Sequence, residues 1–267
     1  MDINEMKKLT DDADLVNAVY DFFDENSRLN HSKAARVEFT TTVKYIEKYL
    51  QHGMKILDIG AGAGEYSLYF ARKGYSVNAI ELADRNIEEF RKKITEEAYV
   101  DLRQGNALNL SYYEDKSFDI VFLFGPLYHL HSEGDRQKAI KEARRVLKDD
   151  GMLFVAFINN DMIPYTEWMY NENYLLTGDY NKETMKAADF PFVFFNLGEC
   201  RKMLTEGGLE IVHEIASDGM SELLADKINK LDDAGYAQYL KMHLFYCERP
   251  EHIGKTNHFL FAAKKAE

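Results

Sequence analysis

The chain has 267 residues, with 33 Lys plus Arg against 45 Asp plus Glu, a net charge of −12 and a pI near 5.2. That length can bury a full core, and that charge argues against nucleic acid as the main partner, because a phosphate backbone must be met by a basic face. Met1 to Asp14 has no apolar core of signal-peptide length, and no later stretch approaches about 18 uninterrupted apolar residues. Cys200 and Cys247 stand far apart without a CxxC or Cys/His cluster, so each reads as an apolar filler. The expectation is a cytoplasmic protein with no membrane partner and no metal.

Leu15, Val16, Val19, Phe22 and Phe23 recur at helical spacing, which predicts a helix over Asp11 to Glu25. A second is predicted over Lys33 to Leu50 with Phe39, Val43, Ile46 and Leu50 on one face. The apolar run Ile56, Leu57, Ile59 then breaks into Gly60-Ala61-Gly62-Ala63-Gly64, a strand turning into a helix over Glu65 to Arg72. Three alternating glycines suggest main chain pressed against a nucleoside-like molecule, and otherwise mark a tight turn. A dinucleotide fingerprint would place its third glycine at Glu65; here it comes one residue early.

The order Asp58-Ile59-Gly60-Ala61-Gly62-Ala63-Gly64 resembles the acidic-x-GxGxG signature of class I S-adenosylmethionine-dependent methyltransferases, and the resemblance runs through most of the chain. It implies S-adenosylmethionine as cofactor, with Asp58, Gly60, Ala61, Gly62 and Gly64 in its site. The stretch from Tyr20-Asp21 through Glu25 to Arg28-Leu29 is similar to the N-terminal cap of several small-molecule members, which closes on the methionine end. Tyr20 and Arg28 carry over on that basis, against the plain reading of an amphipathic helix followed by a solvated arginine.

Further along, Tyr75 to Ile80 reads as a second strand ending at Glu81, 21 residues after Gly60, where a carboxylate can accept from both ribose hydroxyls. Leu82 could then lie on the adenine. Asp84 is placed to cap a helix running to about Glu96, and Tyr99 to Arg103 reads as strand three. The resembled family has Gly-Asp-Ala after that strand, the aspartate taking the adenine amino group; this chain has Gly105-Asn106-Ala107. Asn106 can still accept the bond without the charge, or can serve only as a turn residue.

Phe118 to Phe124 is apolar enough for the middle of a sheet. Phe124, Gly125 and the following Pro126-Leu127-Tyr128-His129-Leu130 should line the reaction chamber, because ligands sit outside the carboxyl ends of parallel strands. This Gly-Pro-Leu-Tyr-His-Leu run also looks like a subgroup of small-molecule methyltransferases, and is not the Asn/Asp-Pro-Pro-aromatic motif of base- or glutamine-methylating enzymes. His129 is the best candidate general base and is otherwise a hydrogen-bonded wall residue; Tyr128 either orients an acceptor or packs.

Ser132 and Asp135 resemble a capping box for a helix that Gly151 should stop, before a fifth strand over Met152 to Ile158. From Asn159 to Asn196 the periodicity fails and aromatics accumulate, which reads as an inserted lid. Within it Tyr165 and Trp168 either touch substrate or pack the insertion. Asn196 and Glu199 open another helix, Leu209 to Ile215 is strand-like, and Asn257 to Lys264 supplies the last strand. The expected fold is α/β: a Rossmann-like, doubly wound seven-stranded sheet, mostly parallel with a C-terminal antiparallel strand. It would form a single domain: a helical cap over 1–52, a cofactor-binding core over 53–158, a lid over 159–196 and the rest of the core over 197–267.

A sulfonium methyl is already activated, so the protein need mainly align two reactants, which can supply roughly 7–11 kcal/mol. The leading expectation is methyl transfer to a small-molecule acceptor by in-line displacement. The rivals are an NAD(P)-dependent oxidoreductase, disfavoured by Glu65 and the N-terminal helices, and a non-catalytic S-adenosylmethionine-binding protein. An aminopropyl transferase is a lesser alternative, since the N-terminal region lacks a small β-domain. Neither the acceptor atom nor the oligomeric state is written in the residues.

Overall fold

Helical apolar spacing and an aspartate cap open the chain. In a computed structural model that describes residues 3–266, the first helices are α1 (Ile3–Met6), α2 (Asp12–Tyr20), α3 (Glu25–Arg28) and α4 (Arg36–Glu47). The Asp11 carboxylate accepts the N–H groups of Ala13 and Asp14, which have no partner inside the first turn of α2. That helix stops at Tyr20 instead of running to Glu25, and the predicted stripe ends with it: Phe22 and Phe23 are exposed. The second predicted helix loses about a turn at each end, α4 spanning 36–47.

Strand and helix then alternate: β1 (Lys55–Ile59), α5 (Glu65–Arg72), β2 (Ser76–Glu81), α6 (Asp84–Lys93), β3 (Val100–Gln104), β4 (Phe118–Leu123), α7 (Glu133–Val146) and β5 (Leu147–Ile158). Asp84 is the first residue of α6 and not its cap; Ala83 stands at the cap, and the Asp84 carboxylate accepts from Gln104 Nε2 instead. Ser132 accepts from Asp135 N–H, giving one half of the expected box. Gly151 does not stop α7, which ends at Val146, but lies inside β5. Between the Phe118–Leu147 and Ile120–Met152 pairings β5 carries extra residues, a bulge that leaves Gly151 against the Asp119 carbonyl, where a Cβ would sit 2.8 Å away.

The insertion contributes α8 (Ile163–Tyr170) and α9 (Tyr174–Thr177), and the chain returns through α10 (Leu197–Glu206) to β6 (Leu209–Ala216). It then passes α11 (Ala225–Ile228), α12 (Asp233–Tyr246) and α13 (Pro250–Ile253) to β7 (His258–Lys265). The seven strands lie in the order β3-β2-β1-β4-β5-β7-β6, parallel except for β7, which runs against both its neighbours. One apolar layer, including Leu57, Val121, Ile140 and Leu204, packs under α7 and α10; the other, including Ile46, Phe70, Phe90 and Phe122, packs under α4, α5 and α6. The strand order reverses between β1 and β4, which opens a crevice at the carboxyl ends of those strands. Among the described residues no helix is long and apolar enough to cross a membrane.

Candidate active site

Two connected cavities occupy that crevice. The larger, about 350 Å³, is lined by Glu81, Leu82, Asn106, Ala107 and His129 on the sheet side and by α2 residues such as Val16 and Tyr20 above. The smaller, about 30 Å³, lies between Asp58, Ala61, Gly62, Phe124 and Tyr128 below and Glu25 and Arg28 above. Tyr20, Gly60 and Gly125 border both. Most of the residues read from the sequence therefore meet around one elongated space. Gly64, Tyr165 and Trp168 do not.

The three glycines divide their work. Gly64, at φ +86°, starts α5, and a Cβ there would lie 2.3 Å from the Phe90 ring, so its bareness lets α6 pack on the turn. Gly60 is closed over by Pro126. Gly62, at φ +55°, is the one that faces the cap across the smaller cavity: a Cβ would meet Glu25 Cγ at 3.1 Å. Close approach of a ligand to bare main chain is thus offered at Gly62, while Gly64 serves packing.

Glu81 ends β2, 4% exposed, with one oxygen accepting from Gly62 N–H at 2.7 Å and the other from Ala83 N–H at 2.8 Å. Burial raises its pKa against those bonds. Oε1 also accepts a longer bond from Asn86 Nδ2 at 3.5 Å, while Oε2 keeps a further lone pair, and the residue lines the larger cavity. Asp58 is buried in β1 and accepts from Ser67 Oγ at 2.7 Å; burial first, then the Glu81 charge, push its pKa up to about 7 against that bond. Asn106 Oδ1 accepts from Leu108 N–H at 2.9 Å, closing its own turn at the cavity wall.

His129 is buried, and its Nε2 shares a 2.9 Å hydrogen bond with the Tyr20 hydroxyl. Burial, and secondarily His131, push its pKa down to about 3, so it is neutral at neutral pH and its ring nitrogen is already engaged. That geometry suits the wall role better than the general-base role. Tyr128 donates to the Phe124 carbonyl at 2.7 Å. Tyr165 and Trp168 are 59% and 50% exposed because Thr166, bonded to Asn257, is the side chain that α8 buries. Among the lid residues that do reach this edge is Phe192, packed edge-on against His129 and Tyr128 with ring centroids 5.2 and 6.0 Å away.

A second polar group was not legible in the motifs. Arg28 bonds both Glu25 oxygens, at 3.0 and 3.1 Å, and Glu38 Oε2 at 2.8 Å. Glu38 lies 3.5 Å from His258 Nδ1, which bonds Asp218 at 2.8 Å. Burial opposes the His258 charge, but Glu38 and Asp218 outweigh it and raise the pKa to about 9. Glu38, Asp218 and His258 could together hold a cation, yet Arg28 and the His258 imidazolium already supply the positive charge there. Glu38 stands 180 and 220 residues from Asp218 and His258, so no local spacing announces this group.

Residues 57–155 match the sequence family of the methyltransferase domain. That family uses S-adenosylmethionine, and the residues around this cavity fit it: the Glu81 carboxylate at one end, bare main chain at Gly62 in the middle, and the Arg28 guanidinium at the other. The chain is similar to the ubiquinone biosynthesis O-methyltransferase of Rickettsia conorii, 27% identical over 202 residues that cover 70% of this chain and 60% of that protein. A S-adenosylmethionine-dependent methyltransferase of Methanosarcina mazei shares its fold with a TM-score of 0.56 at 24% identity, covering 84% of this chain and 98% of the other. So does the geranyl diphosphate C-methyltransferase of Streptomyces coelicolor, with a TM-score of 0.55 at 14% identity, covering 85% and 79%. The chain spans about three-fifths or less of the length of the curated relatives it matches.

Proposed function

We propose that the chain transfers the methyl group of S-adenosylmethionine to a small-molecule acceptor. The observation that carries this reading is the pairing of Glu81 with Gly62 N–H at the mouth of a cavity that runs from Asn106 to Arg28. The cofactor supplies an activated methyl whose transfer is an in-line displacement. Glu81 would receive the ribose hydroxyls, Leu82 and Ala107 would bracket the adenine, and Asn106 would accept from its amino group. Phe124, Gly125 and Tyr128 would wall the reacting end, and α2 with Phe192 would exclude water. His129 would hold Tyr20 and the cap in place.

The net charge of −12 argues against nucleic acid as substrate, and a cavity of about 350 Å³ suits a small molecule. The relative from R. conorii is named for O-methylation in ubiquinone biosynthesis, which makes a hydroxyl one acceptor group to try first. The test is incubation with isotopically labelled S-adenosylmethionine and a fractionated small-molecule extract, followed by mass analysis. A labelled small product is expected. Binding of S-adenosylhomocysteine without any product would leave a non-catalytic binder, and stabilisation by NAD in place of S-adenosylhomocysteine would reject the reading.

A further inference from the structure

The two cavities differ in a way that the chemistry of an amino acid explains. About 350 Å³ stands open beside Glu81, whereas the Gly62 end keeps about 30 Å³ because cap side chains fill it. The group lying on the glycine turn is the Glu25 side chain, with its carboxylate within 3.6 Å of where a Gly62 Cβ would stand. Three residues on, in the same turn of α3, Arg28 grips both Glu25 oxygens. A carboxylate and a guanidinium side by side in one small cavity form a complement to a zwitterion, whose own carboxylate and ammonium can exchange partners with them.

We propose that Glu25 is a ligand for the α-ammonium group of the cofactor's methionine end, and that in the free chain the same carboxylate occupies that subsite by pairing with Arg28. This rests on S-adenosylmethionine being the cofactor. On binding, the amino-acid carboxylate takes the guanidinium edge that Glu25 gives up, and Glu25 takes the ammonium. No charge is left alone in the exchange: Arg28 keeps its second partner, Glu38, at 2.8 Å throughout. That second partner matters, because breaking a lone buried pair leaves an uncompensated charge. Burial opposes the Arg28 charge, yet Glu25 and Glu38 hold its pKa above the ordinary value, so the guanidinium persists at every working pH. The methionine end is thereby read by two oppositely charged side chains, and an adenosine without an amino acid gains nothing from displacing Glu25.

Calorimetric titration of the whole chain with S-adenosylhomocysteine and with 5′-methylthioadenosine tests this, since the second ligand keeps the nucleoside and thioether but lacks both charged groups. Wild type should prefer S-adenosylhomocysteine, and Glu25→Gln should weaken that ligand by about tenfold or more, as loss of a charge-assisted bond does. Its affinity for 5′-methylthioadenosine should stay equal or tighten. Unchanged S-adenosylhomocysteine affinity in Glu25→Gln, or an equal loss for both ligands, overturns the proposal while leaving the cofactor assignment standing. A wild-type chain that binds neither ligand overturns the cofactor assignment, and this proposal with it.

Discussion

The Tyr20 hydroxyl and His129 Nε2, 109 positions apart in sequence, share a 2.9 Å hydrogen bond that ties the end of α2 to the loop after β4. Both side chains border the larger cavity, and the bond joins those of Arg85 to the Tyr20 and Asp21 carbonyls and of Asp12 to His131 in holding the cap over the crevice. With its pKa pushed down to about 3 by burial, His129 stays neutral in the folded chain where the unfolded chain would bind a proton, below about pH 6.5. A histidine of lowered pKa contributes stability that is whole above the unfolded value and is lost as pH falls towards the folded one. Between pH 6 and pH 5 the loss should be about 1 kcal/mol. Urea unfolding at the two pH values, compared with His129→Asn, measures it: the variant should show a shallower dependence. An equal slope in both proteins would mean that the imidazole is not held neutral.

The Glu81 carboxylate has a structural role in the turn and a proposed role in binding, and the two separate by substitution. Glu81→Gln keeps the shape but leaves either Gly62 N–H or Ala83 N–H facing an amide N–H₂. A stability loss of about 1–3 kcal/mol is expected. S-adenosylhomocysteine should bind at least about tenfold more weakly, since one acceptor for the ribose is gone as well. Calorimetry on the folded variant decides the point, and unchanged affinity would sink the ribose assignment.

The glycines make a sharper contrast. Gly64→Ala puts a methyl 2.3 Å from the Phe90 ring at φ +86°, so strain and overpacking together should cost about 3 kcal/mol or more. Gly62→Ala pays only the φ term, about 1–2 kcal/mol, because its neighbour is the movable end of Glu25. The first variant should lose stability most; the second should fold and lose cofactor affinity. Thermal unfolding and S-adenosylhomocysteine titration of the pair test the division, which fails if Gly62→Ala binds like wild type.

How far the sequence carried depends on how local each signal was. β1 and β4 were legible because Ile56, Leu57 and Ile59, and Phe118 to Leu123, are apolar on both faces, as central parallel strands must be. The glycine turn and the residues that gather beside it were legible because Gly60, Gly62, Glu81 and Asn106 lie at short offsets along the chain. Gly151 misled because a glycine after Lys148-Asp149-Asp150 looks like a helix stop, whereas a bulge opposite Asp119 was the cause. The lid misled differently. Aromatic content says that a segment packs somewhere, but not where: α8 buries Thr166 against Asn257 and leaves Tyr165 and Trp168 outside, while Phe192, beyond that helix, packs on His129 and Tyr128. Glu25 was visible in the cap motif without a role, because its position over Gly62 is a tertiary fact.

Asp58 offers the most direct probe of charge in the crevice. It is buried, borders the smaller cavity, and titrates near pH 7 because burial and the Glu81 charge outweigh the bond from Ser67. A carboxyl of raised pKa contributes stability that is whole below its unfolded value, near pH 3.8, and is lost as pH rises through about 7. At pH 7 it is therefore partly protonated, and a cation placed nearby should expel the proton. S-adenosylmethionine is a sulfonium and S-adenosylhomocysteine a neutral thioether, so the first should release more protons on binding. Calorimetry at pH 7 in two buffers of different ionisation enthalpy counts those protons. Asp58→Asn should erase most of the difference, because the amide cannot titrate while it can still accept from Ser67. Equal proton counts for both ligands in the wild-type chain would place the sulfonium away from Asp58, and the methyl-donating end would then have to be sought outside the smaller cavity.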